Sequence, residues 1–530
     1  MAILTKRARS QQAIAERESG FLSSIFAASM PIQARGNQVT ARDLLDRGVH
    51  RVDRELSSEP EAQAAMLQSI GRSYHALGLY DQAKPLLERA YSLRRNLFGG
   101  EDLRTAESAE DLATTDRLRS EYGSAENLFR SALAVREKKL GPNDPLVAQS
   151  LTDLGDCLIR QNRESEAEPA LRRALAIFRK NDDPLGAETL GYLAAISQHA
   201  GNYAEAAALL REAAEIYRQT QGEDTPDYLM TMHNLAGSLI DSGDLLGAEK
   251  SERQVIELRR KVDPDHPDLA YSLNNLGWIL LEEGNWREAE SFLRENLEIT
   301  SKLGSKSDRV ATAQNNWGHY LQEKGDYVGA NASYNEALKK MIELRGPESW
   351  QTAKVRFNIG QLKFDQRDYV SAASEFKDIL ALSRKLGGEN HPQVATLLIA
   401  LGEAKMFEGQ SAEAEPMLRQ ALSIREKRLN PGHPAIMIAQ VRLGEALTAQ
   451  GRAAEAEPLL RQAVRSTVGS PFPLVRWQAG EAEGALGTCL SVLGQDAEAG
   501  QLLQRSKADR EHHPRPAFVD APLHLRSTPR

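Results

Sequence analysis

Eleven small residues, spaced almost evenly along 530 residues, constrain this chain more than anything else in it. Gly71, Ala113, Gly155, Ala194, Ala236, Gly277, Gly318, Gly360, Gly402, Gly444 and Gly487 are each followed twelve residues later by an alanine, from Ala83 to Ala499. Successive anchors lie 42, 42, 39, 42, 41, 41, 42, 42, 42 and 43 residues apart. A period of this size predicts stacked supersecondary units whose shared core grows by addition, so the length does not demand several globular domains. Such arrays present long surfaces and seldom carry catalysis, and the first expectation is that the chain binds another protein.

One unit shows how the period is built. Leu273, Leu276, Leu280 and Leu281 recur at helical spacing, Gly284-Asn285 interrupts them, and Ala289, Phe292, Leu293, Leu297 and Ile299 follow on a second helix. Glycine and asparagine both tolerate the left-handed backbone of a tight turn, so each unit reads as a helix hairpin. A large apolar residue precedes the anchors, as in Ile70, Leu112, Trp317 and Leu443, so a knob alternates with a hole for the partner helix. Pro85, Pro169, Pro416 and Pro458 stand two residues past their alanines, in the opening turn where N–H groups have no helical acceptor. Asp265-His266-Pro267, Asn390-His391-Pro392 and Gly432-His433-Pro434 place a histidine before the proline that opens the next helix. Those histidines lie a repeat or more apart without companion ligands, so they read as helix caps and no metal is expected.

These features resemble the tetratricopeptide repeat, in particular the roughly 42-residue subclass of kinesin light chains. The matching pattern is A-x-S/T-L-x-N-L-G, then G-x-x-x-x-A-E-x-L-L-R-x-A-L, then G-x-x-H-P, closest in 270–297 and 408–433. The resemblance implies an all-α fold: a right-handed α-solenoid of about eleven helix hairpins over residues 60–508, with an N-terminal helical cap and a disordered tail at 509–530. Residues 1–59 form the cap with an imperfect leading repeat, 40–56 as its second helix and 8–27 as a candidate first. There Phe21–Phe26 and Ala34–Gly48 resemble a segment of bacterial serine/threonine kinases that carry repeats after the kinase domain. The chain itself has no Gly-rich loop before V-A-I-K, no H-R-D and no D-F-G, so it is not a kinase; the alternative reading is the regulatory or sensing half of a repeat-bearing bacterial serine/threonine kinase system, encoded separately or truncated, with a kinase as partner.

Other chemistry was sought in the residues. There is no G-x-x-x-x-G-K-S/T, no H-E-x-x-H and no C-x-x-C, and no carboxylate pair stands out, so neither enzymatic activity nor a cofactor is expected. A formal charge of -8 with both signs dispersed offers no basic face for nucleic acid. No window approaches the roughly 20 apolar residues of a membrane helix. Cys157 and Cys489, each two residues past an anchor, read as core residues of a reducing cytoplasm. The sequence sets no oligomeric state.

A candidate partner groove follows from the slots just before the anchors. Asn234, Asn275, Asn316 and Asn358 stand two residues before it in four successive repeats, and His233, Asn274 and Asn315 three before. Primary amides donate and accept, matching a peptide backbone without demanding sequence. Tyr271, Trp278 and His319 fall on about the same face and are candidate anchors. The resemblance implies that asparagines at these positions line the concave groove. The competing expectation is that each amide bonds the neighbouring repeat and locks the stack. No repeat has Lys or Arg three residues before its anchor, which disfavours a clamp for chaperone tail carboxylates.

Overall fold

A computed structural model describes residues 40–200, 202–263, 268–302, 308–429, 431–467 and 476–512. The candidate first helix at 8–27, most of the kinase-like segment, His266-Pro267 and the tail beyond 512 lie outside them. The described residues hold 23 helices and no strand. The first, Ala41–Glu55, opens with a reciprocal cap: the Thr40 hydroxyl accepts from Asp43 N–H at 3.2 Å, and Asp43 Oδ2 accepts from Thr40 N–H at 2.9 Å.

Eleven hairpins follow. Repeats 1 to 3 are Pro60–Ala76 with Tyr80–Phe98, Leu103–Leu118 with Tyr122–Leu140, and Pro145–Ile159 with Glu164–Lys180. Repeats 4 to 7 are Gly186–His199 with Tyr203–Thr220, Pro226–Ser242 with Leu245–Val262, Leu269–Glu282 with Trp286–Ser301, and Asp308–Glu323 with Tyr327–Arg345. Repeats 8 to 11 are Trp350–Asp365 with Tyr369–Gly387, Pro392–Phe407 with Ser411–Arg428, Pro434–Ala449 with Ala453–Thr467, and Arg476–Val492 with Asp496–His512. The chain divides into two compact units, one ending at Ile196 and the other beginning at Ser197. That boundary falls in the first helix of repeat 4, just beyond the connection of the 39-residue interval, where Asp182 adopts a left-handed φ of 51°.

The anchor is small because a specific side chain occupies its place. A Cβ built on Gly444 would lie 2.5 Å from Leu460 Cδ2, and Gly155 meets Leu171 at the same distance. Gly318 faces the Tyr334 ring and Gly360 the Phe376 ring, so the knob comes sixteen residues after the anchor in every case. The periodic alanine lies one helical turn before the knob on the same face, and Ala83, Ala167, Ala289, Ala372 and Ala456 are all 0% exposed. Ala289→Leu is accordingly expected to overpack the crossing and cost about 1–3 kcal/mol. An unchanged melting temperature would contradict that packing.

Among the described residues, turns between paired helices use the left-handed region. Gly284 and Gly325 have φ of 76° and 83°, and where glycine is lacking Ser120, Asn162 and Arg367 adopt 64°, 57° and 65°. His391 and His433 cap their helices, each Nδ1 accepting the N–H two residues on, at 3.2 and 3.1 Å. First helices pack directly on first helices of the next repeat through repeats 1 to 3, 5 to 8 and 9 to 11, as 226–242 on 269–282 and 269–282 on 308–323. Among the described residues second helices have no packing of that extent on one another, so the first helices form the more closely packed face of each unit.

Candidate functional site

The inner face of repeats 5 to 8 is organised by a polar joint and an amide ladder. Glu252 is fully buried at 0% exposure, although it occupies the register where Leu87, Phe129, Leu171, Leu293 and Tyr334 act as knobs. Its Oε1 lies 2.9 Å from His233 Nδ1 and accepts the Asn275 amide at 2.8 Å. One carboxylate thus ties repeat 5 to repeat 6. A buried carboxylate is tolerated only with such partners, because desolvation costs several kcal/mol.

The ladder continues from repeat 6 to repeat 8. Asn274 Oδ1 accepts from Asn316 Nδ2 at 2.8 Å and from Asn296 Nδ2 at 3.2 Å. Asn315 donates to Asn316 Oδ1 at 3.0 Å, and Asn358 donates to Asn315 Oδ1 at 2.9 Å. Asn315 and Asn316 are 3% and 6% exposed, so their amides are spent on neighbouring side chains. Asn274, Asn275 and Asn358 are half-buried in the same network.

Other members of the predicted set do face outward. Asn234 is exposed, and Tyr271 keeps 40% of its surface. The Arg309 guanidinium sits 4.3 Å from the Tyr271 ring centre and is held by Asp268 at 2.9 Å. The His233 ring lies 6.0 Å from the Tyr271 ring, completing a cluster of aromatic and cationic surface. Trp278 is half-buried, and His319 Nε2 stands 3.4 Å from Glu323 Oε1.

Glu252, Asn296 and Arg309 lie outside the first-helix pattern of asparagines and aromatics that marks the candidate groove. A signal for two of them existed. Glu252 breaks a register that is aliphatic or aromatic in the other ten repeats, and Asn296 breaks one held by Ala90, Ala132, Ala174, Ala337 and Ala421.

The corresponding slots carry charge elsewhere. In repeats 2 and 3 they hold Asp111 and Asp153; Asp111 accepts from Arg72 Nε at 2.7 Å, and burial pushes the Asp153 carboxyl up to about 7. In repeat 10 the slot holds Arg442, which bridges Glu403 of repeat 9, Glu445 at 3.2 Å and Glu481 of repeat 11 at 3.2 Å. No group of residues that could hold a metal ion occurs among the described residues. No helix among them is long and apolar enough to cross a membrane.

A protein from Podosopora anserina described as a kinesin light chain of nearly identical TPR-like repeats is 22% identical, over 39% of this chain and 98% of that one, with a TM-score of 0.34. BtubC (BKLC) from P. vanneervenii is 23% identical over 43% of this chain and 95% of its own, with a TM-score of 0.36. Apo RapI is 14% identical over 53% and 98%, with a TM-score of 0.46. No curated protein matches. The tetratricopeptide repeat family model matches at 62–138, 122–180, 187–261, 237–302, 309–385, 352–427 and 393–466, together most of the chain. The chain belongs to the tetratricopeptide repeat family.

Proposed function

We propose that the chain is a cytoplasmic interaction scaffold that binds an extended segment of a partner protein along the first-helix face of repeats 5 to 8. Asn234, Tyr271, Trp278, His319 and Asn358 make the contacts in this reading. His233, Asn274, Asn275, Asn315 and Asn316 hold that surface rigid. The observation that carries it is the exposed Tyr271 ring, braced by Arg309 above an immobilised amide ladder. A large ring already fixed in place loses little conformational freedom on binding, which is the character of a binding hot spot.

The test is a peptide selected from a random library on the immobilised full chain. Tyr271→Ala is expected to weaken that peptide about tenfold or more, since hot-spot truncations cost more than about 1.4 kcal/mol. Its melting temperature should hold because the ring is largely outside the core. Affinity equal to the parent's for both Tyr271→Ala and Asn234→Ala would place the site elsewhere. The regulatory or sensing half of a repeat-bearing kinase system, with the kinase as partner, is the second reading, supported by the leading segment's resemblance. It would be abandoned if a kinase domain from a neighbouring gene neither bound nor phosphorylated the chain.

A further inference from the structure

One contact joins residues 192 positions apart. His433 Nε2 lies 3.0 Å from the main-chain oxygen of Asp241, linking the loop before repeat 10 to the last turn of the first helix of repeat 5. Both belong to the second compact unit. Chemistry on each side favours the bond. Asp241 is among the last four carbonyls of its helix, which have no intrahelical donor. His433 Nδ1 already accepts from Ala435 N–H at 3.1 Å, so its proton resides on Nε2, aimed at that carbonyl.

We propose that His433 and Asp241 form a clasp that joins the two ends of the inner face of repeats 5 to 10, so that opening it widens access to that face. Asp241 and Lys354 interact electrostatically across the same face. Both keep water-facing surface, yet burial raises the Asp241 carboxyl to about 6 and lowers the Lys354 ammonium, each opposing the other's shift. Lys354 lies on the first helix of repeat 8, one turn before Asn358. The clasp stands independently of the partner proposed above, because its test needs no ligand.

Spin labels at Leu246→Cys and Lys427→Cys report the gap beside the clasp by electron–electron double resonance on the full chain. Both positions are exposed, and the natural Cys157 and Cys489 are buried. The parent should give one narrow distance distribution. His433→Asn keeps a helix cap but loses the reach to Asp241, and should raise the ratio of open to closed molecules roughly two- to tenfold, the worth of one hydrogen bond. His391→Asn is the matched control: His391 caps its helix in the same way but stacks on Trp350, 4.4 Å between ring centres. It should leave the distribution unchanged. A broad parent distribution, or identical ones for His433→Asn and the parent, would overturn the clasp. Broadening by both variants would overturn it too, by assigning the effect to capping.

Discussion

Arg442→Ala is expected to be the most damaging single change in the last three repeats. The arginine side chain is 13% exposed and holds together Glu403, Glu445 and Glu481, from three successive hairpins. Removing it leaves three carboxylates facing one another with their shared cation gone. Breaking a buried pair from one side costs about 3–5 kcal/mol, far more than an exposed ion pair is worth. Burial already pushes the Glu445 carboxyl up even with Arg442 present, so losing the arginine drives it further in that direction. Thermal unfolding should therefore show an early transition confined to the C-terminal repeats. Arg442→Met should recover part of the loss if Glu403 and Glu481 are changed to Gln at the same time. A melting profile unaltered by Arg442→Ala would show that the network is solvated.

The second large effect concerns the amides. Asn275→Ala with Asn316→Ala deprives buried Glu252 of one donor and removes the bond from Asn316 to Asn274. It also leaves the Asn315 amide without its acceptor. Unsatisfied buried groups cost about 1–3 kcal/mol each, so the pair should lose roughly 2–5 kcal/mol. The informative comparison is with the selected peptide's affinity, measured below the melting temperature. A large stability loss with affinity nearly intact assigns these two amides to the scaffold, as the proposal does. A variant that keeps its melting temperature and loses the peptide would move them to the interface.

The hairpins were legible because their determinants repeat. The anchor, the alanine twelve residues on and the turn glycine each recur often enough for a single sequence to average out local exceptions. Pro392 and Pro434 opened helices as expected, and the hole beside each anchor glycine is filled by the partner helix. The surface of repeats 5 to 8 was harder to read, since an asparagine two residues before an anchor has the same spacing whether it faces a groove or a neighbour. What separates those outcomes is the partner on the second helix. Glu252 and Asn296 supply it, and they are visible only as departures from the apolar register. The His433 contact was beyond any local pattern, because it depends on curvature accumulated over several repeats.

The knob that fills each anchor's hole comes from the same hairpin, never from a neighbour, and this bears on how such a chain can change over generations. A hairpin that carries its own lock and key can be duplicated, deleted or exchanged in register without redesigning the crossing at its centre. Repeats 5 to 8 have surrendered that freedom: the Glu252 joint and the asparagine rungs are written across their boundaries. Inheritance should accordingly treat them as one block, and the Arg442 network makes a second block of repeats 9 to 11.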